Sequence, residues 1–171
     1  RVAMLYSTQA YKNGPLGLEM IERARSRIPD LTTTLFGLEP APAGLPHWAT
    51  YVRGATGERL AAEVYNVAAV YLCPSLSEGW HLPPAEAMAC GCALVSSDIG
   101  GVADYAFPGE TAVLYPPGDV DAGAQSLASL LQDDDRRIAM AKRGRERIAQ
   151  FSWERSVTML ESLLSGTQLS A

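Results

Sequence analysis

A buried-strand pattern that runs into a short loop and then into a helix dominates the middle of the chain. Val67 to Cys73 is an apolar, β-branched run, typical of a strand buried on both faces. Pro84 to Ala89 has a proline where a first turn tolerates it, followed by Ala, Glu and Met, which favour a helix. The loop between them brings the free N–H groups of a helix start to the end of a strand, which predicts an anion site.

The same alternation of strand and helix extends along the whole chain. Strands that alternate with helices form a parallel sheet with helices on both faces. The sequence therefore predicts an α/β fold, a Rossmann-like, doubly wound sheet of about six parallel strands. The predicted strands are Val2–Tyr6, Leu31–Phe36, Ala49–Val52, Val67–Cys73, Ala93–Ser96 and Ala112–Tyr115. The predicted helices are Leu16–Ile28, Gly57–Tyr65, Pro84–Ala89, Val120–Leu131, a helix that is capped by Asp133–Asp135 and runs to Ile148, and Trp153–Leu164. A short helical turn is predicted at Val102–Tyr105.

Length and composition restrict the class of protein. The 171 residues are enough for one domain with a real core, and 47% hydrophobic and 19% charged residues are a globular profile. The net charge of -5 argues against a nucleic-acid-coating surface. No apolar run reaches about 18 residues, so no membrane span is predicted. Three cysteines (Cys73, Cys90 and Cys92) among apolar neighbours fit a reducing compartment such as the cytoplasm, and they lack the partners that a metal site needs.

Ligands of such sheets bind outside the carboxyl ends of the strands. Three segments fall there: the loop after the first strand with Lys12, the loop that holds Glu78 and Glu86, and Gly100-Gly101 after the fifth strand. Main-chain N–H groups suit a phosphate, whereas a carboxylate suits the hydroxyls of a sugar. A nucleotide sugar carries both kinds of group, so it is the ligand that this set of residues predicts.

The motif residues resemble a known family. Glu78, seven residues, Glu86 and then Ala-Met-Ala-Cys-Gly resemble the donor-binding motif of the GT-B glycosyltransferases of family 4. The resemblance implies that residues 1–171 form a single C-terminal, donor-binding half of a GT-B enzyme, and that the N-terminal acceptor domain lies outside this chain. It continues through Val95–Val102, Gly109–Leu114, Pro116–Asp119 and Phe151–Glu154.

The resemblance also implies roles for individual residues. Lys12 is the expected cation for the diphosphate, Glu78 is expected near the reacting carbon of the donor sugar, and Glu86 is expected to bind the ribose hydroxyls. The remaining expected donor-binding residues are Gly79, Trp80, His81 and Leu82, through their N–H groups or as a pocket wall, and Arg53, which could stack on the base.

Two positions depart from the family pattern. The segment Tyr6-Ser7-Thr8-Gln9 lacks the arginine that the family usually places before its lysine, so only hydroxyls and an amide are offered there. His81 stands where the family commonly has a glycine, and its side chain either contacts the donor or narrows the pocket.

The function that the resemblance implies is retaining transfer of a hexosyl-type sugar from a nucleoside-diphosphate sugar to a glycan or lipid-linked acceptor, as in polysaccharide biosynthesis. No metal or other cofactor is expected. This chain alone is expected to bind donor weakly and to transfer nothing. The expected location is the cytoplasm, or the membrane periphery where the missing half attaches the protein to it.

Other classes remain open or are disfavoured. A degenerate, non-catalytic nucleotide-sugar-binding or interaction module is the main alternative, and a hexose-nucleotide epimerase of the same fold is a second. A dinucleotide oxidoreductase is disfavoured because Ser7 to Gly14 lacks Gly-x-Gly-x-x-Gly. A receiver-type signalling domain would need acidic residues after the first strand, and none occur there.

Overall fold

Six strands form one parallel sheet in the part of the chain that the structure, a computed structural model, describes, which is residues 1–166. Every strand pairs in parallel with its neighbours, in the order β3-β2-β1-β4-β5-β6. The predicted α/β class and the parallel sheet are therefore confirmed. The strands are β1 (Val2–Leu5), β2 (Thr33–Gly37), β3 (Ala49–Arg53), β4 (Val70–Cys73), β5 (Ala93–Ser97) and β6 (Ala112–Tyr115).

Helices cover the two faces of the sheet, and three of them join β1 to β2, β3 to β4 and β4 to β5. Asp119, Asp133 and Ser152 cap three of the helices, because the side chain of each accepts a hydrogen bond from an N–H of the first turn. The predicted cap by the acidic run at residue 133 is thus confirmed. The helices are α1 (Gly14–Arg25), α2 (Gly57–Leu60, continued by a π-helical turn, Ala61–Tyr65), α3 (Leu82–Ala89), α4 (Val120–Leu131), α5 (Asp134–Ile148) and α6 (Trp153–Ser165).

The core consists of two apolar clusters, one on each face of the sheet. Successive residues of a strand point to opposite faces, so Val2 and Met4 belong to one cluster and Ala3 to the other. The first cluster packs under α1 and α4, and the second packs under α2 and α3. Because both faces are covered, the four inner strands are almost entirely buried, which explains why they contain no charged residue, whereas the edge strand β3 is partly exposed.

The structure differs from the predicted elements mainly at their ends. Residues Val67 to Ala69 lie outside β4, and Val67 is exposed, because residues 66–67 form the turn that ends the helical segment Ala61–Tyr65, where Ala68 N donates to Tyr65 O at 3.1 Å. The first helix begins two residues before the predicted Leu16, since Pro15 is accepted in its first turn. The helical turn predicted at Val102–Tyr105 is a 3₁₀ turn at Gly100–Val102.

The strand order reverses between β1 and β4. The chain moves outward from β1 to β2 and β3, then returns to place β4 on the other side of β1. The connections that leave β1 and β4 therefore turn to opposite sides of the sheet, which opens a crevice at the carboxyl ends of these two strands. Lys12 follows β1 and Glu78 follows β4, so the fold places both beside this crevice.

Candidate functional site

Lys12 and Glu78 meet at the crevice between β1 and β4. Lys12 ends a 3₁₀ turn, Ala10–Lys12, and Glu78 lies in the loop between β4 and α3. Nζ of Lys12 is 2.7 Å from Oε1 of Glu78, and only 16% and 10% of the two side chains are exposed. The same ammonium lies 5.3 Å from the centroid of the Tyr11 ring. The structure thus brings together the cation and the first carboxylate of the predicted site.

Hydrogen bonds between the two loops fix this arrangement. Leu76 N donates to Tyr11 O at 2.7 Å, and the amide of Asn13 donates to Pro74 O at 3.1 Å. Asn13 has a left-handed backbone with φ of 56°, a conformation that asparagine tolerates better than most residues. The loop that carries Lys12 is consequently tied to the loop that carries Glu78 on both sides of the ion pair.

Gly101 lets a third segment approach the Glu78 loop closely. A Cβ at this position would lie 2.0 Å from Gly79 O and 2.8 Å from Glu78 Cβ. Only a residue without a side chain can therefore lie this close to the main chain of Glu78 and Gly79. In addition, Gly101 O accepts a hydrogen bond from His81 N at 3.1 Å. The predicted third segment, Gly100-Gly101, therefore supports the loop from the β5 side.

The His81 side chain lies beneath the loop instead of in the open pocket. Its ring is 4% exposed, with Nδ1 3.4 Å from Cys73 Sγ and Nε2 3.4 Å from Glu78 Oε1. Despite the short distances, neither Nε2 of His81 nor Oε1 of Glu78 has a hydrogen bond of acceptable geometry with residues 1–166. The ring therefore lies inward against Cys73 and beside Glu78, and contact between His81 and a donor stays a prediction.

Burial keeps both groups beneath the loop uncharged. Burial lowers the pKa of His81 to about 4; Glu78 opposes this shift and Lys12 adds to it. Burial likewise raises the pKa of the Cys73 thiol. The crevice therefore has a neutral floor of imidazole and thiol beneath a charged pair, Lys12 and Glu78.

The main-chain N–H groups of the loop are not equivalent. His81 N is already engaged by Gly101 O, so it is not a donor for a ligand. The N–H groups of Gly79 and Trp80 make no hydrogen bond to any described residue. Leu82 begins α3, where the first N–H groups of a helix point outward. The predicted cradle is thus reduced to Gly79, Trp80 and Leu82.

Glu86 lies apart from the Lys12–Glu78 pair. It is exposed on α3, and its Oε2 accepts a hydrogen bond from the hydroxyl of Tyr65 at 3.0 Å. Burial, followed by the Glu86 charge, raises the pKa of this tyrosine. Glu86 therefore faces the helical segment that follows β3, the strand that ends in Arg53. The two carboxylates are thus held by different segments of the chain, Glu78 by Lys12 and Glu86 by Tyr65.

Trp80, Leu82 and Arg53 are accessible. Trp80 packs edge-on against Tyr105, with ring centroids 5.2 Å apart, and forms a wall of a mostly apolar cavity of about 550 Å³ that Leu82 and Glu86 also line. Arg53 is exposed at the carboxyl end of the edge strand β3, and its Nε donates to Leu38 O at 3.2 Å. Contact between Arg53 and a base stays a prediction.

Sequence reasoning missed Glu39, which holds the segment after β1. Its carboxylate accepts from the hydroxyl of Ser7 at 3.0 Å and from Thr8 N at 2.8 Å. The hydroxyl of Ser7 is therefore not free for a phosphate, although the missing arginine left it as a candidate. Glu39 lies in a proline-rich loop after β2, and only the pairing of β1 with β2 brings it there, so no local signal could have revealed it.

Within residues 1–166, no cluster of three or more His, Cys, Asp or Glu side chains is arranged to hold a metal ion. Among the helices of the same residues, none combines the length and the apolar character that crossing a membrane requires.

Solved structures define the class of fold. The C-terminal domain of the glycosyl transferase group 1 family protein LpcC from Francisella tularensis matches 87% of this chain and 84% of its own length, with a TM-score of 0.73 and 21% identity. Anabaena Alr3699/HepE, solved in complex with UDP-glucose, matches 96% of this chain and 48% of its own, with a TM-score of 0.81 and 17% identity. The fold is that of a Rossmann-like domain of GT-B glycosyltransferases.

Sequence comparison then gives the family. The family described as Glycosyl transferases group 1 matches residues 50–147, and the chain belongs to it. D-inositol 3-phosphate glycosyltransferase of Corynebacterium urealyticum is 37% identical over 100 residues, which are 58% of this chain and 24% of that protein. The chain thus spans about a quarter of the length of such relatives.

Acid should destabilise the chain through His81. The folded chain binds a proton on this ring only near pH 4, whereas the ordinary pKa is 6.5. Between these values the unfolded state binds more protons, so the free energy of unfolding decreases as the pH falls, by up to about 3 kcal/mol in total. Urea unfolding at a series of pH values measures this loss.

The control is a comparison of variants, because carboxylates also change stability with pH. His81→Gln removes the titrating ring and should reduce the decrease in the free energy of unfolding as the pH falls. His47→Gln, at the other histidine, which is exposed, should leave that decrease as in the wild type. If the free energy of unfolding depended equally on pH in His81→Gln and in the wild type, the acid destabilisation would not come from His81.

Proposed function

We propose that the chain is the donor-binding domain of a retaining glycosyltransferase that transfers a hexosyl-type sugar from a nucleoside-diphosphate sugar to a glycan or lipid-linked acceptor. The observation that carries the proposal is the meeting of Lys12 and Glu78 at the crevice where the strand order reverses. Membership of the group 1 glycosyl transferases and the UDP-glucose complex of a protein with this fold support it.

Each charged group has a distinct part in the proposed reaction. When the bond between the sugar C1 and the diphosphate oxygen breaks, negative charge develops on the leaving diphosphate. Lys12 and the N–H groups of Gly79 and Trp80 stabilise that charge, the kind of electrostatic contribution that often dominates catalysis. Glu78 accepts hydrogen bonds from sugar hydroxyls near the reacting carbon, and Glu86 accepts them from the ribose. Through these residues the domain holds the donor, and the acceptor hydroxyl then attacks C1. No cofactor has a part in this proposal.

A second domain is required to supply the acceptor and to close the cleft. Among the described residues, α6 buries none of its side chains, and its apolar residues Trp153, Leu160, Leu163 and Leu164 are all more than half exposed. An apolar stripe of this kind is normally covered by a partner surface. The N-terminal half of the full-length protein is the proposed cover, and this chain alone is expected to transfer nothing.

The alternative is a non-catalytic nucleotide-sugar-binding or interaction module, and the segment after β1 favours it. The segment after β1 offers no arginine, its Ser7 hydroxyl is held by Glu39, and Lys12 is paired with Glu78. Such a site could bind a donor without activating it. Turnover by the full-length protein separates the two functions, because only the transferase releases nucleoside diphosphate when an acceptor is added.

Titration calorimetry tests the proposed donor. The probes are UDP, UDP-glucose, GDP and GDP-mannose, so that each nucleotide is compared with and without a sugar. The proposal predicts saturable binding of at least one pair, with tighter binding of the sugar-carrying member. A chain that binds none of the four would contradict it.

Glu86→Gln should weaken the binding of UDP or GDP, whichever the wild-type chain binds, by about 10-fold. The reason is that a neutral amide replaces a charged acceptor of the ribose hydroxyls. The amide oxygen still accepts from Tyr65, so the fold should be preserved. Calorimetry measures the affinity. Glu22→Gln, at an exposed position on α1, is the matched control and should bind as the wild type does. Equal affinities of Glu86→Gln and the wild type would remove Glu86 from the site.

A further inference from the structure

Glu78 lies between Lys12 and His81, and a bound donor would draw Lys12 away from it. Its Oε1 is 2.7 Å from the ammonium of Lys12 and 3.4 Å from Nε2 of His81. A diphosphate attracts Lys12, so the carboxylate loses its cation in the donor complex. A carboxylate that is 10% exposed needs a replacement partner, because an unpaired buried charge is costly.

His81 is the side chain that the fold holds ready beside this carboxylate. Its main chain is fixed at both ends: its N–H donates to Gly101 O at 3.1 Å, and its carbonyl accepts from the hydroxyl of Tyr105 at 2.7 Å. Nε2 is completely buried and has no hydrogen-bond partner among residues 1–166. Its separation from Glu78 Oε1 is 3.4 Å, so a small shift and reorientation of the carboxylate would form a hydrogen bond of ordinary length.

The surroundings also determine which ring nitrogen carries the proton. A neutral imidazole has one donor and one acceptor, and a carboxylate can only accept. Nε2 faces Glu78, so it carries the proton, and Nδ1 accepts from the thiol of Cys73, 3.4 Å away. The Cys73 thiol keeps its proton because burial raises its pKa.

We propose that His81 is a positioning residue: when the donor diphosphate draws Lys12 away, Nε2–H of His81 becomes the hydrogen-bond donor that keeps Glu78 directed at the donor sugar. This inference rests on the proposed function and adds a specific residue to it. It also explains a histidine where the family commonly has glycine: the ring acts on the sugar through Glu78 without touching it.

The affinity test separates the sugar from the nucleotide. The sugar gain is the ratio of the Kd for UDP to that for UDP-glucose, or of the Kd for GDP to that for GDP-mannose. His81→Leu should leave the nucleotide affinity within about 2-fold and reduce the sugar gain by roughly 5- to 10-fold, the effect of one hydrogen bond to a charged group. His81→Gln, whose amide N–H can occupy the place of Nε2–H, should restore most of the gain. His47→Leu is the exposed control.

A spectroscopic readout on the wild type keeps the test independent of any variant that fails to fold. Long-range ¹H–¹⁵N spectra of the two imidazoles at pH 7 should show His81 neutral and protonated on Nε2, with a change at Nε2–H when the sugar nucleotide is added. The Nδ1–H form, an imidazolium, or no change on binding would overturn the proposal.

Failure of the inference differs from failure of the proposed function. Normal binding of the probes with an unchanged sugar gain in His81→Leu, or equal losses for nucleotide and sugar nucleotide, overturns the positioning role alone. A wild-type chain that binds none of the four probes overturns the proposed function, and the positioning role with it.

Discussion

Replacement of Lys12 by alanine should weaken the binding of a nucleoside diphosphate by about 30- to 100-fold. One charge pair at about 4 Å contributes roughly 4 kcal/mol at an effective dielectric constant of 20, and partial solvation reduces this to about 2–3 kcal/mol. Because no arginine stands in Tyr6–Gln9, no second cation of that segment can compensate. Titration calorimetry with UDP and GDP measures the loss.

Two further variants sharpen this prediction. Lys142→Ala, at an exposed position on α5, removes the only other lysine and should bind as the wild type does. Glu78→Gln removes the carboxylate that competes for Lys12, so it should bind UDP or GDP at least as tightly as the wild type while losing most of the sugar gain. A Glu78→Gln variant that loses nucleotide affinity as Lys12→Ala does would contradict the separate roles given to the two charges.

Gly101→Ala should both destabilise the chain and disrupt donor binding. The added Cβ would lie 2.0 Å from Gly79 O, and because that atom is main chain, the loop itself must move. Overpacking of this kind costs roughly 1–3 kcal/mol, and the displaced loop carries Glu78 with it. Thermal unfolding and calorimetry should show a lower Tm and a nucleotide affinity reduced by at least about 10-fold.

Gly100 provides the matched control for this substitution. It is exposed, and a Cβ added there would meet no heavy atom within 4 Å. Gly100→Ala should therefore keep stability within about 0.5 kcal/mol of the wild type, with donor binding unchanged. Equal Tm values for Gly101→Ala and the wild type would show that the loop tolerates displacement, and the support ascribed to Gly101 would then be wrong.

The sequence predicted the layers of the fold and placed Lys12 and Glu78 at the same edge of the sheet, because both follow from general rules. Continuous apolar runs between helical segments predict a parallel sheet, and residues that follow neighbouring parallel strands meet at one edge. The order of the strands was not predicted, because strand periodicity alone does not give it. Strand ends were less accurate: Val67 continues the apolar run of β4 but belongs to the turn that ends the preceding helical segment.

What the sequence did not predict depends on contacts between distant segments. The inward turn of His81 requires the Cys73 thiol below it and the Gly101 carbonyl beside it. Glu39 reaches Ser7 and Thr8 only because β2 lies next to β1, and Tyr65 reaches Glu86 only because its helical segment packs on α3. Each is a single polar contact in an irregular segment, where no periodic pattern reports the direction of a side chain.

Amide chemical-shift mapping of the ¹⁵N-labelled chain with UDP-glucose and GDP-mannose locates the donor site. For the sugar nucleotide that binds, the largest shift changes should fall on the segment around Lys12, on residues 78–86 and on Gly100-Gly101, with smaller changes elsewhere. Changes confined to other surfaces, such as the arginine-rich face of α5, or no change with either compound, would contradict a donor site at the crevice between β1 and β4.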